Sequence, residues 1–469
     1  MKKITALLMS VSLLFSSISI PIFNINPSTV MADEAWPAGP ELVGTAACLI
    51  EASTGTVLYE KKSHKKMYPA SITKILTALV TLENAELNES VTFSEECVNS
   101  LEYGDANMEM AVGEVLPVED CLYGLMLKSA NEVATALAEH VGGSVEGFAD
   151  MMNERAKQAG ALDAHFTNAN GLHNDDHYIT AYDMAMITRA AVANPMFLSI
   201  TGSSSYTVSA SNKKEARTIY QRHKMVMQNS GFYYEGILGG KTGFTDQAGT
   251  TLVTYAKRDG MTLVAVVLDS PNYNVYHDTA ALFDFGFENF NLVNIKDNET
   301  RFTGVADNYT DKLTPTFGSG NNTDLELKSD DCVVLPKKVS FTDVSSAISF
   351  EFSEDTDTSD TVGTKVAEIN YIYNERAVGK ASVLYVSDEP IPQKSVDADA
   401  DVSPDEDTTD NEKTKKKKSN KVKIDDGTVK TIRTVIVSII LILIIVFLIR
   451  KKQKELNEIR AQKRRRRRY

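Results

Sequence analysis

The sequence predicts an α+β protein in which an antiparallel sheet covered by helices is followed by a small all-β domain. Two observations carry this. From about Gly44 to Phe290, strand-like runs stand at both ends of the segment with helix-like runs between them, so sheet neighbours must come from distant sequence. From about Asn291 to Asp388, short β-rich runs alternate with Asn, Asp, Gly and Ser clusters, and no helix of ordinary length is visible. A chain of 469 residues exceeds one ordinary domain, and its 43% apolar content is enough to fill a core in each.

The elements follow in order. TAACLIEAS and VLYEKK, split by Thr54-Gly55, read as a hairpin. ITKILTALVTLENA, EVATALAEHV and FADMMNERAKQAG carry apolar residues at helical spacing. TTLVTYAKRDGMTLVAVVLDS is a second hairpin turning at Arg258-Asp259-Gly260, and DTAALFDFGFENF reads as a closing helix. Beyond it, DCVVLPKKVSF, AISFEFS, VAEINYIYN and KASVLYVS are the strand candidates of the β domain.

The ends have a different character. Lys2 and Lys3, the apolar run ALLMSVSLLF and the small-residue site Val30-Met31-Ala32 read as an export signal over residues 1–32. The body then spans 33–290 and the β domain 291–390. Residues 391–430 are rich in Asp, Lys and Thr and nearly devoid of large apolar side chains, the composition of a disordered stalk. Thr434–Ile449 contains no charge, and as a helix it covers about 24 Å. With Thr431, Ile432 and a snorkelling Arg433 it reads as a transmembrane helix over 431–450. Residues 451–469 form a basic tail, and the export signal orients it to the cytoplasm, with the body outside.

The net charge is −14 although the final twenty residues are strongly basic, so the body is acidic. Nucleic acid is thereby excluded as the main partner, because phosphate contacts need clustered Lys and Arg. Cys48, Cys97, Cys121 and Cys332 have neither CxxC spacing nor paired histidines nearby, and are expected to be free and buried.

Three short motifs carry chemistry. In YPASITKILTAL, Ser71 and Lys74 stand about one helical turn apart, which places both side chains on one face. A buried amine beside a serine hydroxyl becomes a base able to activate it. Ser-x-x-Lys also occurs at Ser63–Lys66 and Ser211–Lys214 in polar surroundings, where a capping serine and a solvated lysine suffice. Only Lys74 opens a helix apolar on nearly every side. In KSANEVATALAEHV, Ser129 and Asn131 stand where a loop enters a helix; capping is the plain alternative. In LGGKTGFTDQAGTT, Lys241, Thr242 and Gly243 enter a β run whose glycines let a ligand backbone approach, although a simple glycine turn has the same appearance. The three occur in one order, Ser-x-x-Lys, Ser-x-Asn, Lys-Thr-Gly.

With these motifs, and with YPASITKILTALVTLE, MLKSANEVATALAEHVGG, HYITAYDMA and KTGFTDQAGTTLV, the body resembles the serine D-alanyl-D-alanine carboxypeptidases, the low-molecular-mass penicillin-binding proteins. VGTKVAEINYIYNERAVGKASVLYV resembles that family's C-terminal β domain. The resemblance implies a penicillin-binding/β-lactamase-like transpeptidase fold over 33–290 and a substrate that is a peptidoglycan stem peptide ending in D-Ala-D-Ala. It implies an acyl-enzyme on Ser71 with Lys74 as base, and β-lactams as inhibitors. Ser129 would relay protons, Asn131 would hold the substrate backbone, and Lys241 and Thr242 would receive the terminal carboxylate beside Gly243. The N–H groups of Ser71 and Phe244 would form the oxyanion hole. Neither a metal nor a cofactor is implied, including at His173 and His177.

Two departures stand out. Many family members carry a carboxylate-binding arginine before the last catalytic helix, where this chain has Val275, with only His277 as a nearby cation. The family commonly ends in an amphipathic surface helix, whereas this chain has the charge-free segment described above. Two other functions remain open at this point. A β-lactamase would want a deacylating glutamate, and Ser129-Ala130-Asn131 has alanine where class A enzymes carry aspartate. A non-catalytic wall-binding scaffold would not need Ser71, Lys74 and Lys241 together.

Overall fold

The computed structural model describes residues 36–301, 325–350 and 363–386. The expected export signal, stalk, membrane helix and basic tail lie outside the described residues. Among the described residues no helix is long and apolar enough to cross a membrane.

Strands β1 (Ala46–Glu51) and β2 (Val57–Lys61) form the first hairpin. After it comes a 3₁₀ turn, Ala70–Thr73, which leads directly into α1 (Lys74–Asn84). The short pair β3 (Ser90–Thr92) and β4 (Val115–Pro117) brackets α2 (Glu95–Asn99). Next come α3 (Val118–Tyr123), a π-helical turn over Gly124–Lys128, α4 (Asn131–Gly142), α5 (Val145–Gln158), α6 (Ala181–Val192) and α7 (Pro195–Gly202). A second small pair, β5 (Ser205–Val208) and β6 (Arg217–Tyr220), precedes β7 (Ile237–Thr245), β8 (Gly249–Arg258) and β9 (Met261–Ser270). Helix α8 (Asn274–Asn289) closes this part of the chain.

The main sheet has the order β2-β1-β9-β8-β7, and every pair is antiparallel. β1 lies beside β9, so the first and last strands of the body meet at its centre, as the sequence predicts. Both strands are buried on both faces, because alternate side chains enter two cores. Cys48, Ile50, Val264 and Val266 face the helical side, packed with α1, α4 and α6. Leu49, Leu263, Ala265 and Val267 face the other side, where α8 supplies Leu282 and Phe283. Helix α1 is buried from Lys74 to Thr81, and its buried hydroxyls are satisfied: Thr77 Oγ1 donates to Ala169 O, far along the chain, and Thr81 Oγ1 to Thr77 O one turn back.

The C-terminal part begins without a linker, since β10 (Phe290–Asn294) follows α8 directly and leads to α9 (Ile295–Asn298). Its other strands are β11 (Leu325–Leu327), β12 (Cys332–Pro336), β13 (Ser345–Phe350), β14 (Thr364–Tyr373) and β15 (Arg376–Tyr385). They form one sheet, β10-β12-β15-β14-β13, with β11 on β15, over its own core of Val333, Ile369, Tyr371 and Val383. Trp36, the single tryptophan, packs at the seam 5.0 Å from Phe290, with Arg376 4.9 Å from its ring. Cys48, Cys97 and Cys121 are buried, whereas Cys332, expected to be buried, is only partly so: it opens a strand beside the Asp330-Asp331 turn.

Candidate active site

Three walls meet around Ser71. The first is the 3₁₀ turn itself, whose leading residue Ala70 has a left-handed φ of 54°. That conformation turns the Ala70 carbonyl toward Gly171, where a Cβ would overlap it; Gly171, at φ +82°, is free of one. The second wall is the edge strand β7. Gly243 lies so close to the turn that a Cβ there would overlap Thr251 Oγ1 and stand 3.0 Å from Ser71 N. Thr251 Oγ1 donates to Pro69 O at 2.9 Å and ties the sheet to the turn. The third wall is the start of α4. The sequence predicts a loop entering this helix; the chain arrives instead from the π-helical turn, and Ser129 reverses it in a left-handed conformation (φ 62°). A strained non-glycine residue of this kind persists only where packing over-determines it.

Lys74 is fully buried and donates from Nζ to Ser71 Oγ at 3.0 Å, Asn131 Oδ1 at 2.7 Å and Asn170 O at 2.5 Å. The two amide oxygens can only accept. A neutral amine therefore spends both of its hydrogens on them, which leaves its lone pair on the side of the Ser71 hydroxyl. Burial, and then the charge of Lys241, hold the Lys74 pKa well below the usual lysine value, while Glu132 and Asp105 oppose them. The resting site thus favours the form that can take a proton.

Lys241, also buried, donates to Ser129 Oγ at 2.9 Å and to Thr242 O at 2.8 Å. Burial and the nearby Arg222 guanidinium push its pKa down to about 7. Ser71 and Ser129 are thus each paired with a lysine. Behind them, His177 accepts from Thr167 N at Nδ1 (3.1 Å), so its Nε2 carries the hydrogen and donates to Thr73 Oγ1 at 2.9 Å. Burial and the neighbouring positive groups hold its pKa down to about 3. It is a neutral brace for the Ser71 turn.

These groups open into a cleft of about 920 Å³, lined by Ser71, Ser129, Asn131, Thr242, Gly243 and Phe244 among others. All eight residues singled out in the sequence are therefore gathered at one place, with the two lysines forming its floor. Phe244 projects its side chain into solvent at the rim, 64% exposed. Sequence reasoning missed three participants. Asn170 contributes only a backbone oxygen, which no side-chain pattern reveals. Gly171 stands out only as the glycine of an Asn-Gly pair. Arg222 lines the cleft beside Lys241; its sole sequence signal was the cationic run Arg222-His223-Lys224 upstream of LGGKTG. His277, considered as the replacement cation, is not among the lining residues. It is exposed on α8 and packs 5.5 Å from Phe232, while the buried Val275 lines the cleft.

Over 252 residues the chain is 31% identical to the D-alanyl-D-alanine carboxypeptidase DacF of Bacillus subtilis, a match covering 52% of this chain and 62% of that protein. It is 27% identical over 302 residues to DacC of Escherichia coli, covering 62% of this chain and 73% of the relative. The crystal structure of a Streptomyces DD-transpeptidase superposes with a TM-score of 0.51 at 27% identity, covering 54% of this chain and 100% of the other. Residues 33–272 match the family model described as D-alanyl-D-alanine carboxypeptidase. With that match extending over more than half its length, the chain belongs to the D-alanyl-D-alanine carboxypeptidase family.

Proposed function

We propose that this protein is a serine D-alanyl-D-alanine carboxypeptidase that removes the terminal D-alanine from peptidoglycan stem pentapeptides and is acylated by penicillin. The observation that carries the reading is the Lys74 Nζ to Ser71 Oγ contact at 3.0 Å, with the other two amine positions held by pure acceptors. Ser71 Oγ attacks the carbonyl carbon between the two D-alanines as its proton passes to Lys74. The N–H groups of Ser71 and Phe244 receive the developing oxyanion. The C–N bond then breaks, and the leaving amine takes a proton delivered through Ser129, which Lys241 holds in place. Thr242, Lys241 in its charged form and Arg222 receive the substrate carboxylate, and Asn131 orients the peptide. Water hydrolyses the ester. A β-lactam enters by the same attack.

The β-lactamase alternative wants a buried deacylating glutamate in the cleft: Glu132, beside the Ser-x-Asn motif, is fully buried but does not line the cleft, and Glu102 lines it but is exposed to solvent. The experiment is D-alanine release from a pentapeptide ending in D-Ala-D-Ala, by wild type and by Ser71→Ala. Release by the wild type alone is expected. No release by the wild type, with no uptake of fluorescent penicillin, would favour the scaffold reading.

We also infer, from sequence character, export by residues 1–32 and anchoring by 431–450. The catalytic domain (33–290) and the β domain (291–390) would then stand outside the membrane on the stalk 391–430, with 451–469 in the cytoplasm. Loss of the protein from the membrane fraction on deletion of 431–469 is the expected result; retention would contradict the anchor.

A further inference from the structure

One buried ionisable group near the site has no part in the mechanism above. Glu132, next to Asn131 in the first turn of α4, is fully buried. Its Oε1 accepts from Met108 N at 2.6 Å. Its Oε2 lies in the interior and completes no hydrogen bond among the described residues. An ionisable group left half-satisfied in a dry site is costly and calls for a reason. Its surroundings supply one: the adjoining Asn131 accepts from Lys74 Nζ at 2.7 Å, which sets Glu132 beside the base. Burial pushes the Glu132 carboxyl up, nearby backbone N–H groups pull it back down, and the Lys74 ammonium adds to that pull, just as the Glu132 carboxylate favours the ammonium. The other groups around the pair are Lys241 from β7, Asp105 from the segment before α3, His177 from the loop before α6, and the thiols of Cys97 and Cys121. Asp105 lines the open cleft, where water screens it. Glu132 is the one carboxylate among them that is fully buried.

We propose that Glu132 is a positioning residue for the base: its buried carboxylate balances the ammonium that forms when Lys74 takes the Ser71 proton. In that step the Ser71 O–H bond breaks, the proton moves to Lys74 Nζ, and the electron pair on Oγ forms the bond to the carbonyl carbon. Glu132 neither gains nor loses a proton. Without its charge, a fully buried amine beside Lys241 is too weak a base to hold that proton. The same side chain fastens Met108, so one residue sets both the strength of the base and the position of the segment leading from the rim. This inference rests on Ser71 and Lys74 acting as nucleophile and base.

The test is the pH dependence of acylation by a chromogenic β-lactam. Glu132→Gln keeps an acceptor for Met108 N and removes the charge. Its acid limb is expected to move to lower pH, because Lys74 then loses its proton more readily, and its plateau to fall about tenfold as the base weakens. Glu132→Asp, which retains the charge, is expected to restore the wild-type limb. A lowered plateau with an unmoved limb in Glu132→Gln would assign the residue a structural role only and overturn the inference. If Glu132→Gln does not fold, the wild type labelled with [5-¹³C]glutamate decides. The Glu132 carboxyl resonance, assigned by its absence from a Glu132→Asp sample, must shift with the midpoint of the acylation limb, since coupling between two sites is reciprocal. A resonance that stays flat across the limb overturns the inference. Failure of the underlying reading looks different: the wild type is then not acylated at Ser71 at any pH.

Discussion

Lys74 and Lys241 lie on one dry floor, yet the mechanism requires the first to be neutral at the start and the second to be charged. Burial lowers both, and Arg222 pushes Lys241 to about 7. The charged form of Lys241 is therefore lost as pH rises through about 7, and with it part of the attraction for a substrate carboxylate. KM for a D-Ala-D-Ala peptide is expected to rise above that pH. Arg222→Gln removes the repelling cation, so Lys241 keeps its proton to higher pH and the alkaline limb moves upward. The same change removes a partner of the carboxylate, so KM at neutral pH rises about tenfold. Steady-state kinetics against pH checks both, and an unmoved limb would mean that Arg222 does not act on Lys241. The two lysines were legible in the sequence through their motifs; their common floor was not, because it depends on three distant segments closing together.

At the level of elements, the site depends on how closely β7 approaches the Ser71 turn. Gly243 makes that approach possible, and Gly243→Ala would force either the strand or the turn to move. Acylation is expected to fall about a hundredfold as the oxyanion donors lose alignment, with the circular dichroism spectrum unchanged; near-wild-type acylation would show the approach to be unimportant. The two long hairpins and helices α1, α4, α5 and α8 could be read from apolar spacing and turn residues. The small pairs β3–β4 and β5–β6, and the helices α2, α3 and α7, could not, because elements of eight residues or fewer show scarcely two helical turns. The π-helical turn that aims Ser129 has no local signature, since one extra residue per turn is imposed by packing.

For the whole molecule, two buried histidines link stability to acid. His223 lies behind β7 and bonds Thr254 Oγ1 at 2.9 Å, and burial holds its pKa to about 3; His177 is held down similarly. Unfolded histidines bind protons from about pH 6.5 downward. The folded state refuses those protons, so stability present above pH 6.5 is lost as pH falls toward 3, by a few kcal/mol. The melting temperature of the wild type is expected to fall below pH 6.5. His223→Gln, whatever its stability at neutral pH, should show a shallower decline between pH 6.5 and 4.5. An equal slope would contradict a buried, neutral His223. The central sheet of the body and the strand character of the C-terminal part were both legible from β-rich runs bounded by turn residues. The direct passage from α8 into β10 was not, because nothing in the composition marks a junction without a linker.

The central claim is that Ser71 is the nucleophile, and peptide mapping after incubation with benzylpenicillin tests it most directly. The account predicts one covalent adduct, on the peptide Met67–Lys74, absent from Ser71→Ala and sharply reduced in Lys74→Met. An adduct on another peptide, or one that persists in Ser71→Ala, would contradict it.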